Sequence, residues 1–548
     1  MSTSAAAPSA SSTDGPPVKA YTRNATGLVR EARLIDQIAL NLGANTPLTS
    51  ALAVGLFTIA AFPRMNVYIA LLVPALLSVP IWITWSLFAA TFPKTGGDYI
   101  YNSRILTPAI GLGVNLGFMF ASVLSAGFAA SFLPELAINP TLLIIGTVTH
   151  SHSISNFAGN FAVSDHWGVF LTSVAGILLL CVLGAIRSKL VLRVMSLMVG
   201  IFAVAAIIDI VILLFTSNSS FIHTFNHYAG AGGYQKVVHA AAGKGLYPSE
   251  GGYSFKQTLG AMFVWVGFSI WVWYGAYING EVRRAGDRKR MLTSVVGSGV
   301  LQTVFVLISI FVFYHAIGQD FAISAAAGNQ STGVATFPYY AALATGNSVI
   351  AVVISVAFLL WALPVLSAII APISRGLFVY SFERLLPPWV SRVNPKTHTP
   401  VYAIAITAFL AVLDSAFNSF NANFSVALTL AELPGFFVMF FVAISALVMR
   451  RRRPQLYNGS QADWKIAGVP VLPIAGALSV VISAGLIVLP FFYQKQLGLN
   501  SHSWLPTATA IAPVAAIVIG VIWWYIARAR NRAHGIDLNL LYKTIPPD

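Results

Sequence analysis

Long apolar runs separated by short polar or basic segments dominate the chain. In the first half they lie at about 34–62, 65–92, 108–134, 166–186, 194–215 and 255–280. In the second half they lie at about 292–316, 347–378, 400–417, 424–449, 469–491 and 507–528. A helix needs roughly 20 apolar residues to cross the hydrocarbon of a bilayer, so the pattern predicts an all-α integral membrane protein with twelve transmembrane helices. An even number of crossings puts both ends on one side. The first 33 residues open with MSTSAAAPSASSTDGPP, small and polar, without the apolar stretch of a secretory signal, and read as a disordered tail. Residues 529–548 read as a second, C-terminal tail.

Composition agrees and removes other classes. Of 548 residues, 57% are apolar and 9% are charged; a soluble protein carries about a quarter charged residues, so a water-soluble globule is excluded. The net charge of +15 would suit nucleic acid, but its distribution does not. With both ends placed in the cytoplasm, 27 of the 32 Lys and Arg residues fall on that side, leaving Arg64, Lys236, Lys244, Lys256 and Lys495 outside. Such a bias sets orientation, so the termini are expected inside the cell membrane and no nucleic-acid partner is expected. The partners expected are the lipid bilayer and a small solute, with the chain a monomer or a homodimer. Cys181 stands alone, which leaves no intramolecular disulfide. The outer loops at 135–165, 216–254 and 317–346 are rich in Gly, Ser, Asn and His. His150 and His152 lack a carboxylate or cysteine cluster to complete a metal site, so neither a metal nor a cofactor is expected. No converging set of His, Glu, Asp or Cys points to a membrane-embedded enzyme.

Two spans contain breaks. In the first, the amphipathic run LIDQIALNLGA, ending in Gly43 and Ala44, meets Asn45-Thr46-Pro47 before LTSALAVGLFTIAAF resumes. Proline removes a backbone donor and clashes with the preceding turn. Thr46 suits an N-cap and Pro47 a first helical residue, which leaves the amides of Leu48, Thr49 and Ser50 unpartnered. Free amides at a half-helix N-terminus attract an anion such as a solute carboxylate; the alternative is a proline kink healed by Thr46, Thr49 or a neighbouring helix. The sixth span, GAMFVWVGFSIWVWYGAYINGEV, has its expected interruption at Gly267-Phe268-Ser269, although glycine also serves close helix packing. Interruptions opening two five-helix halves, 34–215 and 255–449, point to an inverted-repeat secondary transporter, with 469–528 supplying two further helices. A channel or a transceptor, gated by the same broken helices, is the alternative.

After the second span, FPKTGGDYIYNSRILTPAIG places Pro93, Gly96, Gly97, Asp98, Tyr99, Tyr101, Arg104 and Pro108 in an order that resembles the amino acid-polyamine-organocation (APC) superfamily. NGEVRRAGDRKR with Glu281, ISRGLFVYSFERLLPPWV with Arg375, Arg384 and Pro387, and TPVYAIAIT with Thr399 and Pro400 are similar to later motifs of that family. The resemblance covers roughly residues 34–450. It implies a five-plus-five inverted repeat of the leucine-transporter type plus two C-terminal helices, and alternating-access uptake of an amino acid or related amine. It implies a substrate site between Gly43, Ala44, Asn45, Thr46 and Thr49 of the first span and Gly267, Phe268, Ser269 and Trp271 of the sixth. Gly96, Gly97, Tyr99, Arg104, Glu281 and Arg375 stand as an inner-gate motif. The chain departs from the family where many members have a glycine-rich stretch in helix one. In span six, counting back from Glu281 sets the break nearer Trp271.

The energy source is left to a few residues. Asp209, Asp414 and Glu432 lie in or near apolar spans, where an ionised carboxylate costs roughly 2.5 to 3.5 kcal/mol. Asp209 and Asp414 read as hydrated groups near the outer interface. Glu432, deeper and beside Pro434-Gly435, is the titratable candidate for proton coupling, or a hydrogen-bonding partner to a neighbouring helix. Some relatives carry a lysine in helix five; the approximate matching position here is Phe202, and the surrounding segment contains no lysine. Sodium would draw on carbonyls of the first span and on Ser367, so the coupling ion is either sodium or a proton. Trp265, Phe268, Trp271, Trp273, Tyr274 and Tyr277 form a prospective aromatic wall that Trp361 of span eight would help to close.

Overall fold

The computed structural model describes residues 27–45, 58–161, 165–328, 337–421, 433–493 and 505–543, and almost all regular structure among them is helical. The long helices are α1 (Leu34–Asn45), α2 (Val67–Thr91), α3 (Asp98–Ile105), α4 (Pro108–Phe132), α5 (His166–Ile186), α6 (Ser188–Phe215) and α7 (Phe255–Ser269). They continue with α8 (Ser298–Ile317), α9 (Ser348–Phe358), α10 (Ala362–Phe382), α11 (Val401–Phe420), α12 (Leu433–Arg452), α13 (Val471–Val488) and α14 (Leu505–Ala533). Further helices, among them Asn218–Ala229, lie between these. Lys465–Ile466 and Val469–Pro470 pair as a small antiparallel hairpin.

Ten helical stretches among the described residues are long and apolar enough to cross a membrane. The first and sixth spans are not among them, because α1 is described only to Asn45 and α7 ends at Ser269. Helix starts follow local capping chemistry. Thr107 accepts a bond from the Ile110 amide (3.2 Å) with Pro108 at the first helical position of α4, and Asn347 accepts from the Val349 and Ile350 amides (3.0 and 3.1 Å) at α9. Inside α2, which carries Pro74 and Pro80, the Ser78 hydroxyl donates to the Pro74 carbonyl (2.8 Å).

α4 lies at the centre, packed against α3, α10, α11, α12 and α14. Small residues permit this: a Cβ on Gly520 of α14 would lie 2.3 Å from the Gly113 Cα, and one on Gly127 would lie 2.3 Å from the Ser415 amide of α11. On the opposite side α6 turns Leu197, Val204, Ile207 and Phe215 outward, a continuous apolar face that suits lipid tails.

Three regions differ from the reading of the sequence. The third span does not stop at residue 134: a π-helical stretch at Leu133–Ile138 carries it on to Val148, and a further helix spans His152–Asn160, so much of the expected outer loop is wound. The apolar run LLIIGTV and a proline at the start of a helical turn explain the extension. The N-terminal segment is tied down from Gly27 onward: the Ala32 amide donates to the Glu281 carbonyl and the Arg283 amide to the Ala32 carbonyl, both at 2.9 Å. At the other end α14 continues to Ala533, and Leu538, Leu541 and Tyr542 are buried against the bundle.

Candidate functional site

The sixth span opens between Ile270 and Trp273. The Ile270 amide still donates to the Val266 carbonyl (3.0 Å), Ile270–Trp273 are turn residues, and the chain re-forms as a 3-10 helix at Tyr274–Glu281. Gly267, Phe268 and Ser269, where the break was expected, belong to α7, so the interruption sits about one turn later. Its position is set by substitutes for the lost ladder that come from other helices. Trp82 Nε1 of α2 donates to the Ser269 carbonyl (3.1 Å). From α1, Asn41 Oδ1 accepts from the Gly275 amide (2.7 Å) and Gln37 Nε2 donates to the Gly275 carbonyl (3.1 Å). A buried backbone group without a partner costs about 1–3 kcal/mol, so these three bonds make the open segment tolerable.

Aromatic rings cover the opening. Trp273 stacks on Trp85 of α2 with centroids 3.9 Å apart, and Trp271 stacks on Phe436 of α12 at 5.9 Å. Phe118 of α4 touches the group from below, 5.5 Å from Trp273 and 5.6 Å from Tyr277. Gly435 is required here: a Cβ would lie 2.1 Å from the Trp271 ring. The expected aromatic wall is therefore a packed layer at the break.

The residues named from the first span end at the edge of the described structure. Gly43 and Ala44 form the last turn of α1, with Gly43 so close to α10 that a Cβ would lie 3.1 Å from the Pro364 carbonyl. Asn45 is the final residue of α1, whereas Thr46, Thr49 and Glu432 lie outside the described residues. Ser367 is buried on α10 one turn beyond Pro364. Trp361 is buried in a 3-10 turn between α9 and α10, its ring 5.7 Å from Phe132 of α4.

The inner-gate motif is gathered at one end of the bundle, around α3, although its members divide among different partners. Gly96 and Gly97, at φ 113° and 51°, turn the chain into α3, and the Gly96 amide donates to the Tyr277 carbonyl (3.2 Å). Arg375 grips Glu281 through Nε to Oε1 (2.9 Å) and Nη2 to Oε2 (3.1 Å). Arg104 pairs instead with Glu383 at 2.5 Å, both side chains fully buried, beneath the Tyr542 ring. Tyr99 and Tyr542 share a hydroxyl bond of 2.6 Å. Gln37 Nε2 also donates to Asn279 Oδ1 (2.7 Å).

Within this end lies a network that joins Asp98 and Tyr277, named from the sequence in separate contexts, to Asn115 and Tyr380, which were not named. Asp98 Oδ1 accepts from the Tyr277 hydroxyl and from Asn115 Nδ2 (2.7 Å), and the Tyr380 hydroxyl donates to Asn115 Oδ1. Complete burial pushes the Asp98 carboxyl up to about 7, against the lowering pull of those hydrogen bonds. Gln37 and Asn41 were also missed, although polar residues at positions i and i+4 in an apolar run mark one helix face with something polar to meet.

Asp209 and Asp414 are interior groups and not hydrated ones. Asp414 Oδ2 accepts the Gly127 amide (2.7 Å) where α11 crosses α4, and Asp209 is fully buried with no side-chain partner among the described residues. The crossing angle of neighbouring helices, which one-dimensional depth along the chain does not reveal, covers both. Phe202, at the position where some relatives carry lysine, packs edge-on against Phe358 at 5.6 Å.

A family model described as "Amino acid permease" matches residues 44–522. No curated protein matches the chain.

Proposed function

The chain belongs to the amino acid permease family, within the APC superfamily, and on that premise we propose that it is a secondary-active, alternating-access importer of an amino acid or related amine-bearing solute. Membership supports a transporter of amino acids or related solutes in a multi-pass membrane protein. The finer reading is a twelve-span protein of the cell membrane with both termini inside, two five-helix repeats of opposite topology and two added helices. A proton or sodium gradient drives it.

One observation carries this reading: the sixth span abandons its helical ladder at Ile270–Trp273, and polar side chains of α1 reach across to Gly275. In a membrane, unwound backbone persists where it is buried in protein or lines a polar site. The solute would lie between the end of α1, at Gly43–Asn45, and residues 270–273, with its carboxylate on the amides that the sequence leaves unpartnered after Thr46-Pro47. Trp271 and Trp273 would shield it from water. Ser367 and Trp361 on the eighth span would contribute to ion binding and closure. Glu432 retains its place as a titratable candidate. Gly96, Gly97, Tyr99, Arg104, Glu281 and Arg375 would act at the cytoplasmic gate, and the ion pair Arg375–Glu281 with the strand-like contact at Ala32 supports a closed inner side.

The test is substitution at the first-span half-helix. Thr46→Ala and Thr49→Ala should reduce uptake of an equimolar mixture of the twenty proteinogenic amino acids far more than they reduce expression. Uptake equal to wild type in both would remove the solute from this position. The same mixture should raise the unfolding temperature of the detergent-purified protein, since a solute that prefers the folded state stabilises it.

A further inference from the structure

Asp98 lies against the 3-10 segment that follows the interruption of the sixth span. It opens α3, is 0% exposed, and accepts bonds at Oδ1 from Tyr277 and Asn115. Oδ2 makes no hydrogen bond of regular geometry among the described residues. The titratable side chains facing it are Tyr101 from its own helix, Tyr277 from the 3-10 segment and Tyr380 from α10, and none of them is a cation. Trp85 and Phe88 of α2 pack on Tyr101, and α12 brings Ser445, which donates to Asn102 (2.8 Å). The ionised groups beside this cluster, Arg104 with Glu383 and Arg375 with Glu281, are closed in two pairs. The arginines of α12, Arg450–Arg452, follow Ser445 by five to seven residues and are exposed.

A carboxylate so placed has donors but no counter-charge among the described residues, and it is shut off from bulk solvent. Dehydration disfavours its ionised form, and the group titrates near neutral pH while this end of the bundle is closed. Tyr277 ties that titration to movement: its hydroxyl binds Asp98, its ring packs on Phe118 and lies 6.1 Å from Trp273, and its helix continues directly from the interruption. A motion that drew the 3-10 segment away from α3 and α4 would break the bond from Tyr277 to Asp98. Water then reaches the carboxyl, its charged form becomes favourable, and the proton leaves.

We propose that Asp98 carries the coupling proton of the transport cycle, binding it while the α3 end is closed and releasing it to the cytoplasm when that end opens. The proposal rests on the transporter reading above and deepens it by naming the ion and its site. The step balances simply: a proton from the outer solution converts the carboxylate to the acid, and the reverse step delivers the same proton inside, with no change to the solute.

Proteoliposomes with a pH dye trapped inside, given an equimolar mixture of the twenty proteinogenic amino acids, separate the two readings. Wild-type protein should exchange labelled mixture across the membrane and acidify the lumen as solute enters. Asp98→Asn should lower the protons moved per solute moved at least tenfold. An unchanged ratio would overturn the proposal, and so would wild-type exchange without acidification, which leaves the transporter reading standing. Absence of exchange by wild type would sink the transporter reading and this inference with it. A second measurement requires no transport. Potentiometric titration of the purified protein should show one proton bound near neutral pH in wild type and absent from Asp98→Asn. Tyr277→Phe, which removes a donor to the charged form, should move that midpoint upward. Identical curves for the three proteins would also overturn the proposal.

Discussion

Asn41→Ala removes the side chain that holds the open backbone of the sixth span. Its Oδ1 accepts the Gly275 amide at 2.7 Å, and its Nδ2 donates to the Ser294 carbonyl at 2.8 Å and hydroxyl at 3.1 Å. The Ser294 carbonyl keeps another donor, the Ser298 hydroxyl at 2.6 Å, so it is not orphaned. The Gly275 amide loses its acceptor in a site closed to water, which costs about 1–3 kcal/mol. With the weaker loss at Ser294, about 1 kcal/mol, the variant should be destabilised by about 2–4 kcal/mol. A double-mutant cycle with Ser294→Ala removes the share that belongs to the Ser294 hydroxyl, leaving the bonds to the Gly275 amide and the Ser294 carbonyl. Gly275→Ala provides an independent route, because a Cβ there would lie 2.6 Å from Gln37 Cγ and 2.8 Å from Asn41 Oδ1 and must push both away. The readouts are the unfolding temperature of purified protein, and the further rise in it on adding the twenty-amino-acid mixture. Both variants should unfold at lower temperature and lose most of the solute-dependent rise. If Asn41→Ala keeps wild-type values in both, the interruption is not held by this bond and the account of the site fails.

Gly435→Ala should abolish amino acid uptake while the protein remains folded in detergent, because the added methyl would drive the Trp271 ring from its place; uptake within twofold of wild type would refute the packing argument. Arg104→Met should destabilise by about 3–5 kcal/mol by leaving the buried Glu383 charge without its guanidinium, and Arg104→Met with Glu383→Leu should recover most of that loss in a denaturation midpoint. Equal losses in the single and double variants would show that the charge pair is not the cause. Stability should also depend on pH through Asp98. Its carboxyl is raised from 3.8 to about 7, so between those values the folded chain binds a proton that the unfolded chain does not. Stability is therefore highest below that window and falls as pH rises through it, by about 4 kcal/mol at about 1.4 kcal/mol per pH unit. Asp98→Asn should flatten this slope between pH 4 and pH 7, as measured by unfolding midpoints across the range.

The membrane class was written in the hydropathy of the chain, since a run such as 166–186 cannot fold any other way in lipid. Ends of elements were less legible. The extension from residue 134 to Val148 was hidden by Pro134 and Pro140, which read as breaks and instead stand at the starts of helical turns. The interruption of span six was visible as a possibility, but glycine was a poor guide to its place. Gly267 can sit in a helix at modest cost, and what decides the matter is where Trp82, Gln37 and Asn41 arrive from two other helices. Such contacts join residues more than 180 positions apart, beyond any local pattern. The motif residues fared similarly. Arg104 and Arg375 were recognisable as members of an ordered string, whereas Glu383, inside the quoted string but not singled out there, is seen as the partner of Arg104 only in the folded chain.

At the sixth span the chain answers much of its own deficit. Ser269 and Gly275 are satisfied by side chains of α2 and α1, which confines the backbone outside both ladders to the short stretch from Ile270 to Trp273. A break supported at both ends can hold a fixed shape before a solute arrives, and a fixed shape is what allows few contacts to discriminate among solutes. The same arrangement makes the break mechanically useful. Gln37 bonds both Gly275 and Asn279, and Tyr277 between them bonds Asp98, so a displacement of α1 is carried through one 3-10 segment to the buried carboxyl. Coupling then needs no long relay of titratable groups: one rigid turn joins the place where a solute would bind to the place where a proton would be held.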